Sequence, residues 1–314
     1  MSLISLVLAL VLEQWRPLSA RHALLEPLVR YAAYLESQFD AGEARQGMAA
    51  WMLAVLPGVL GAWLLYWIAT HMGGPGALLA LAINVAALYV TMGFRQFSHA
   101  FTAIHLALKE DDLSRARSIL GEWLGRNCSD LTREEVVRLT IEEALTASHR
   151  HVFGVVFWFA LLPGPSGAIL YRLARYLSRR WGAVDPVGGV AGGNFGKFAR
   201  DAFAVIDWLP VRITAIAYAA VGDFEDAVYC WRTQAAKWSD PALGIVLAAG
   251  AGALGVRLGM PIANVDGLVI DRAELGVGDD ADTGYLDSTI GLVWRSLVLY
   301  LLMLLLLGIA KAMS

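Results

Sequence analysis

Charge is scarce in this chain. Asp, Glu, Lys and Arg make up 17% of its 314 residues, against about 25% in soluble domains, too few to coat a water-exposed surface. Cysteine is nearly absent: Cys128 and Cys230 stand far apart, with no CxxC and no Cys/His cluster, which argues against a disulfide framework and a structural zinc site. No basic excess exists either. The net charge is −3 and no basic arm is present, so the electrostatic footprint of a nucleic-acid binder is missing. The opening run "MSLISLVLALVLEQW" lacks a basic n-region, and "LSARHA" is the nearest approach to a cleavage site. It reads as an uncleaved first span or half-span rather than a signal peptide. No tandem repeat appears, which disfavours a transporter.

What fills the chain is apolar. Hydrophobic residues reach 57%, the mean hydropathy is +0.55, and 11 tryptophans are available for membrane interfaces. The expected fold class is therefore an all-α polytopic membrane protein. Spans are expected at 48–70, 76–92, 202–221 and 291–310, the last carrying Arg295 where it can snorkel. The glycine-rich run 242–258 suits close helix packing or a pocket wall better than a free span. With the N-terminal segment this gives about six transmembrane helices, a re-entrant hairpin and an amphipathic cytoplasmic helical insert. The expected organisation is N-terminal membrane helices over 1–93, the insert over 94–151, and a C-terminal membrane region over 152–314.

The insert has apolar residues at three- and four-residue spacing among charges. Ile104, Leu108, Leu113, Ile119, Leu120 and Leu124 form one stripe, and Asp130 or Thr132 precedes a helix with an acidic first turn. It is expected outside the bilayer. The run 152–172 is broken by "PGPSG", and arginines flank it on both sides. Both flanks then favour the cytoplasm, which a re-entrant hairpin satisfies and a single crossing does not. Broken backbone at membrane depth needs protein or water around it, so a cavity is expected there. The acidic segment 259–290 is also expected to be cytoplasmic.

Most motifs that invite a chemical reading are weak. The six histidines form no HExxH, and His149-Arg150-His151 reads as a polar cap. "PVGGVAGGNFGK" (186–197) and "GAGALGVRLG" (250–259) lack the GxxxxGK[ST] pattern of a phosphate loop. Ser166 has no GxSxG context. Asp279, Asp280 and Asp282 are carboxylates in a solvated loop. No metal site is expected. The stretch "FAVIDWLPVRITAIAYAAVG" (203–222) is different, because it places Asp207, Pro210 and Arg212 in an apolar run. Each charge costs roughly 2.5–3.5 kcal/mol at the bilayer centre, so a pairing or a polar pocket wall is required. Asp207 and Arg212 lie roughly 140° apart on a straight helix, and a bend at Pro210 brings them closer.

The order of segments resembles the CobD/CbiB family of integral membrane proteins. The likeness runs through Arg95, "ALKEDDLSRAR", and "LGR" ending at Arg126; then "LPVRIT", which is similar to the family's "IPARLT"; and "AGALGVRLGM" (251–260), similar to "AGALGVQLGG". It covers nearly the whole chain. The resemblance implies an adenosylcobinamide-phosphate synthase, joining adenosylcobyric acid to aminopropanol or its phosphate with Mg·ATP. The family's acidic motifs, however, are replaced here. Glu142 remains, Thr146-Ala147 and Arg150-His151 stand at other positions of the first motif, Ser178 replaces an acid of the second, and Ala202-Phe203-Ala204 replaces the third. The stretch Asp207 to Arg212 and its continuation to Gly222 look like the AmpE branch of the same superfamily.

The expectation is therefore an inner-membrane, multi-pass, AmpE-like protein with a recognition or signalling role in the cell envelope. Asp207, Arg212, Arg95, Arg126 and Glu142 are its candidate pocket residues. The expected partners are the lipid bilayer and an anionic amphiphile or an envelope-signalling protein, with no nucleic acid. The alternative is the synthase, with Mg and ATP, and magnesium held by Glu142, Glu143 and the Asp279–Asp282 loop.

Overall fold

A computed structural model describes residues 2–15, 21–39, 43–182, 194–263 and 269–313. The glycine-rich loop expected at 186–197 lies outside the described residues up to 193. The chain divides into two compact units, Met1–Gly93 with Gly154–Leu209, and Phe94–Phe153 with Pro210–Ser314. Both are helical, as expected.

In the first unit, α1 (Ser2–Trp15) packs on α4 (Gly76–Thr91), and α3 (Ala44–His71) packs on α2 (Arg21–Phe39), α4 and α9 (Ser166–Trp181). Its core sets Trp51, Leu173, Leu177, Trp181 and Phe195 among Ala32, Ala50, Ala54, Ala174 and Ala199. Small residues between large ones let helix backbones approach closely. The outer face of α3 is as apolar as its core: Leu53, Leu56, Leu60, Leu64, Leu65 and Ile68 are exposed. Such a surface is stable against lipid and not against water. The "PGPSG" break folds α8 (Gly154–Leu161) back on α9, with Gly164 left-handed at φ +62° against the Tyr66 ring. The expected hairpin is thus a helical one.

The helix α10 (Phe195–Val221) contains Pro210. Proline has no N–H, so the Ile206 carbonyl four residues earlier loses its helical donor. Trp158 Nε1 takes that place, donating to Ile206 O at 3.1 Å. A side chain from α8 thereby satisfies a carbonyl that hydrocarbon could not.

In the second unit, α7 (Arg133–Ser148) lies among α5 (Phe94–Lys109), α6 (Leu113–Leu124), α12 (Pro241–Leu254) and α13 (Gly284–Met313). Thr132 caps α7 by accepting from Glu135 N, while Glu135 Oε2 accepts from Thr132 N at 2.7 Å. The rest of α7 departs from the expectation of an amphipathic insert. It is buried on all faces from Val136 to Ile141, including Arg138 and Thr140, and Glu142 is buried as well. Of the expected stripe, Ile104, Leu108 and Leu120 are fully buried, while Leu113, Ile119 and Leu124 are half-buried.

The 242–258 run is buried helix α12 as far as Leu254, packed along α11 (Phe224–Gln234). A Cβ on Gly252 would strike the Asp226 carbonyl, and one on Gly244 the Ala235 carbonyl. The glycines serve close packing, as expected. After α12, a two-residue antiparallel pair, β1 (Ile262–Ala263) with β2 (Val269–Ile270), and bridges Val256–Asp279 and Leu258–Leu275 order the following loop.

Three described helices are long and apolar enough to cross a membrane: Ala44–His71, Phe195–Val221 and Gly284–Ala310. The expected span at 76–92 is a helix of 16 residues, about 24 Å long, short of the ~30 Å hydrocarbon core. Leu3–Trp15 and Pro241–Leu254 are also short apolar helices.

Candidate functional site

The second unit encloses a polar column along α7. Arg138 and Glu142 are four residues apart, so they share one face of the helix. Glu142 accepts from Gly259 N at 2.9 Å through Oε1 and from Arg272 Nη2 through Oε2. The Arg272 guanidinium lies 4.9 Å over the Trp238 ring. Arg138 Nη1 approaches Glu134 Oε1 at 3.5 Å and Met260 Sδ at 3.3 Å. Its Nε is buried with no hydrogen-bond partner among the described residues.

Burial pushes the Glu142 carboxyl above its usual range, and Arg272, the Gly259 N–H and Arg138 pull it back. Two guanidiniums thus surround one buried carboxylate. The cluster suits holding an acidic group rather than shuttling protons.

The loop that supplies Gly259 is strained. Gly259 has φ +77° and a Cβ there would strike the Ala273 carbonyl. Met260 follows at φ +63°, a left-handed conformation that costs an L-residue about 1–2 kcal/mol. Strain of this kind gathers at functional sites.

Farther along α7 the column continues. Ser148 Oγ meets Tyr218 Oη at 2.7 Å, and His149 Nδ1 meets Thr214 Oγ1 at 2.9 Å. Thr214 Oγ1 also lies 3.3 Å from Tyr300 Oη. The helix widens into a π-turn over His149–Phe153, a local geometry frequent at functional sites. Arg150 Nη2 reaches Asp240 Oδ2 at 3.5 Å.

The sequence-derived candidates fall in several places. Glu142 is central to the column. Arg212 lies partly buried on α10, two residues past Pro210, in the second unit. Arg95 is partly buried near the start of α5. Arg126 is exposed just after α6 and lines a separate cavity with Arg117. Asp207 belongs to the first unit, where it is buried and accepts from Tyr171 Oη at 2.9 Å. Tyr171 has room for this because position 154 is glycine, whose Cβ would overlap the ring and its hydroxyl.

Sequence reasoning missed Arg272, Trp238, Tyr171 and Thr214. Thr214 closes the "LPVRIT" stretch but was not singled out, no motif marks the other three, and each meets its partner from a distant segment. Only the "AGALGVRLGM" likeness pointed towards Gly259.

The Mg·ATP of the synthase reading asks for convergent acids. Among the described residues, no group of three His, Cys, Asp or Glu side chains could hold a metal ion. The Asp279–Asp282 loop is committed elsewhere. Asp280 pairs with Arg257 at 2.6 Å, Asp279 accepts from Tyr285 Oη at 3.2 Å, and Asp282 accepts from Gly284 N at 2.7 Å. These residues do not fit a resident magnesium.

The family model described as CobD/Cbib protein matches residues 6–293. A cobalamin biosynthesis protein CobD of Stutzerimonas stutzeri is 36% identical over 286 residues, covering 89% of this chain and 90% of the relative. The protein of the same name in Chromobacterium violaceum is 34% identical over 290 residues, covering 91% and 88%. One in Leptospira interrogans is 26% identical over 189 residues, covering 58% of each. No solved structure matches.

These relatives overturn the expected AmpE-like signalling role. That expectation rested on the stretch from Asp207 to Gly222, on lost acids and on Arg150-His151 standing at positions of the first acidic motif. Arg150, however, comes with Asp240 beside it, so the charge reversal is offset locally. The likeness to proteins named for cobalamin biosynthesis extends over nine tenths of the chain.

Proposed function

The chain belongs to the CobD/CbiB family, and on that premise we propose that it works in cobalamin biosynthesis, at the amide-forming step between adenosylcobyric acid and aminopropanol or its phosphate. The observation that carries this reading is the near-full-length likeness to two proteins named cobalamin biosynthesis protein CobD. The polar column supports it. Buried Arg138 and the partly buried Arg272, which Glu142 holds in place, supply cations that suit carboxylate or phosphate groups. We also place the protein in the cytoplasmic membrane with several crossings, which the three long apolar helices favour.

The test is a bacterium deleted for its own CobD and dependent on cobalamin. Expression of this chain restores growth on cobyric acid, and growth on cobinamide needs no complementation. Mass spectrometry of the extracts finds the amide only with the chain present. Growth that stays restricted to cobinamide, with the chain expressed and in the membrane, overturns the proposal.

A further inference from the structure

An open cavity of about 340 Å³ lies beside α6, lined by Ser114, Arg117, Ser118 and Gly121 along one helix face and by Arg126–Ser129 from the following turn. Its two charged side chains are both arginines. Arg117 is fixed in place because its Nε donates to Leu131 O at 2.7 Å. This holds one edge of the fork and leaves the planar group oriented. The Asn127 carboxamide oxygen accepts from Ser129 N at 2.9 Å, so its NH2 remains as donor. Ser129 Oγ is turned to Asp130 Oδ1 at 3.0 Å, the nearby acid at the rim. Ser114 and Ser118 add two hydroxyls from exposed positions.

Cys128 is a buried residue of the lining, and burial pushes its thiol up despite the charge of Arg126 and a hydrogen bond from that side chain, which leaves the rest of the Arg126 fork to the cavity. It therefore stays neutral and does not cancel the arginines. One effect opposes an anion here. The C-terminal end of α6 carries partial negative charge. Hydrogen bonds from a charged guanidinium to an oxyanion are stronger than this partial charge, so two arginines outweigh it.

From this lining we propose that the cavity binds the phosphoryl group of a phosphate ester, with Arg117 and Arg126 as the paired forks and Ser114, Ser118 and Asn127 as neutral donors. The size is at the low end for ligand pockets, which suits a phosphate with a small substituent and not a macrocycle. The inference stands apart from the amide-forming reading. A soluble phosphate ester and a lipid headgroup share this chemistry.

Purified full-length protein in uncharged detergent is titrated with pyrophosphate at constant ionic strength, following thermal unfolding. A second arm compares phosphatidylcholine nanodiscs with and without phosphatidic acid. Arg126→Ala and Ser118→Asp are the variants, both at exposed positions that keep the fold. A saturable upward shift with pyrophosphate identifies a soluble ligand, and a shift only with phosphatidic acid identifies a headgroup. Either supports the proposal when Arg126→Ala weakens binding roughly ten- to hundredfold and Ser118→Asp weakens it too. No saturable shift in either arm overturns it. A shift that both variants retain overturns it as well.

Discussion

Helices α3 and α7 invert each other. The apolar α3 shows much of its length to the outside, with Trp67 47% and Leu65 60% exposed. The charged α7 is buried, with Arg138 only 4% and Glu142 7% exposed. In water the two would exchange places. Beside a membrane, apolar surface gains nothing by moving into protein, because lipid is as apolar as leucine. Polar groups gain by hiding together inside the protein, where they find partners. Hydropathy thus reports what faces lipid in this chain, and it says little about what the protein encloses.

The comparison breaks most sharply at Glu142. Removing one partner of a buried pair costs about 3–5 kcal/mol, because the other charge is stranded. Glu142→Ala and Arg272→Ala each lower the unfolding free energy in detergent, read from denaturant unfolding, by an amount of that order, and the double variant recovers a large part. Additive losses in such a cycle would show that the pair is not coupled. On α3 the opposite change is the damaging one. Leu60→Lys puts a charge on the outward face, with an insertion penalty of about 2.5–3.5 kcal/mol, read as reduced integration into microsomal membranes. Leu60→Ala has little effect there.

A smaller effect sharpens the site. Met260→Gly relieves the left-handed strain and is expected to stabilise by about 1 kcal/mol or less, after the entropy cost of glycine. Denaturant unfolding reads it, and a destabilised variant would assign more weight to the Met260–Arg138 contact. The smallest effect is a pH slope. Burial holds His105 below its ordinary value of 6.5, opposed by Asp287 and aided by Lys109. Its folded form binds the proton less readily than its unfolded form. Its share of stability is complete above pH 6.5 and is lost as pH falls through the lower folded value. His105→Gln flattens that slope in thermal unfolding between pH 5 and 8.

Local features were legible. The Thr132 cap, the break at Pro163–Gly167 and the long apolar helices follow from short-range chemistry, and they appear where the sequence puts them. The glycines of α12 announced close packing. The burial of α7 was not legible, because its alternation of Arg, Glu and Leu has the pattern of a helix half in water. What distinguishes it is Arg272, 130 residues beyond Glu142, in a segment with no motif. Glu142 was found through the family likeness, and its partners were found only through contact. Asp207 was read against Arg212 on its own helix, and the Tyr171 hydroxyl that donates to it was not foreseen.

That Tyr171–Asp207 contact also constrains how the sequence can change. Gly154 leaves the space, Tyr171 fills it, and Asp207 accepts the hydroxyl. A side chain at 154 displaces the ring and takes that donor from the buried acid, while a smaller residue at 171 makes glycine at 154 dispensable and removes the same donor. The three positions are epistatic: each substitution is tolerated or harmful according to the other two. Homologues are therefore expected to change them as a set, and single exchanges among relatives should fail where the triple exchange succeeds.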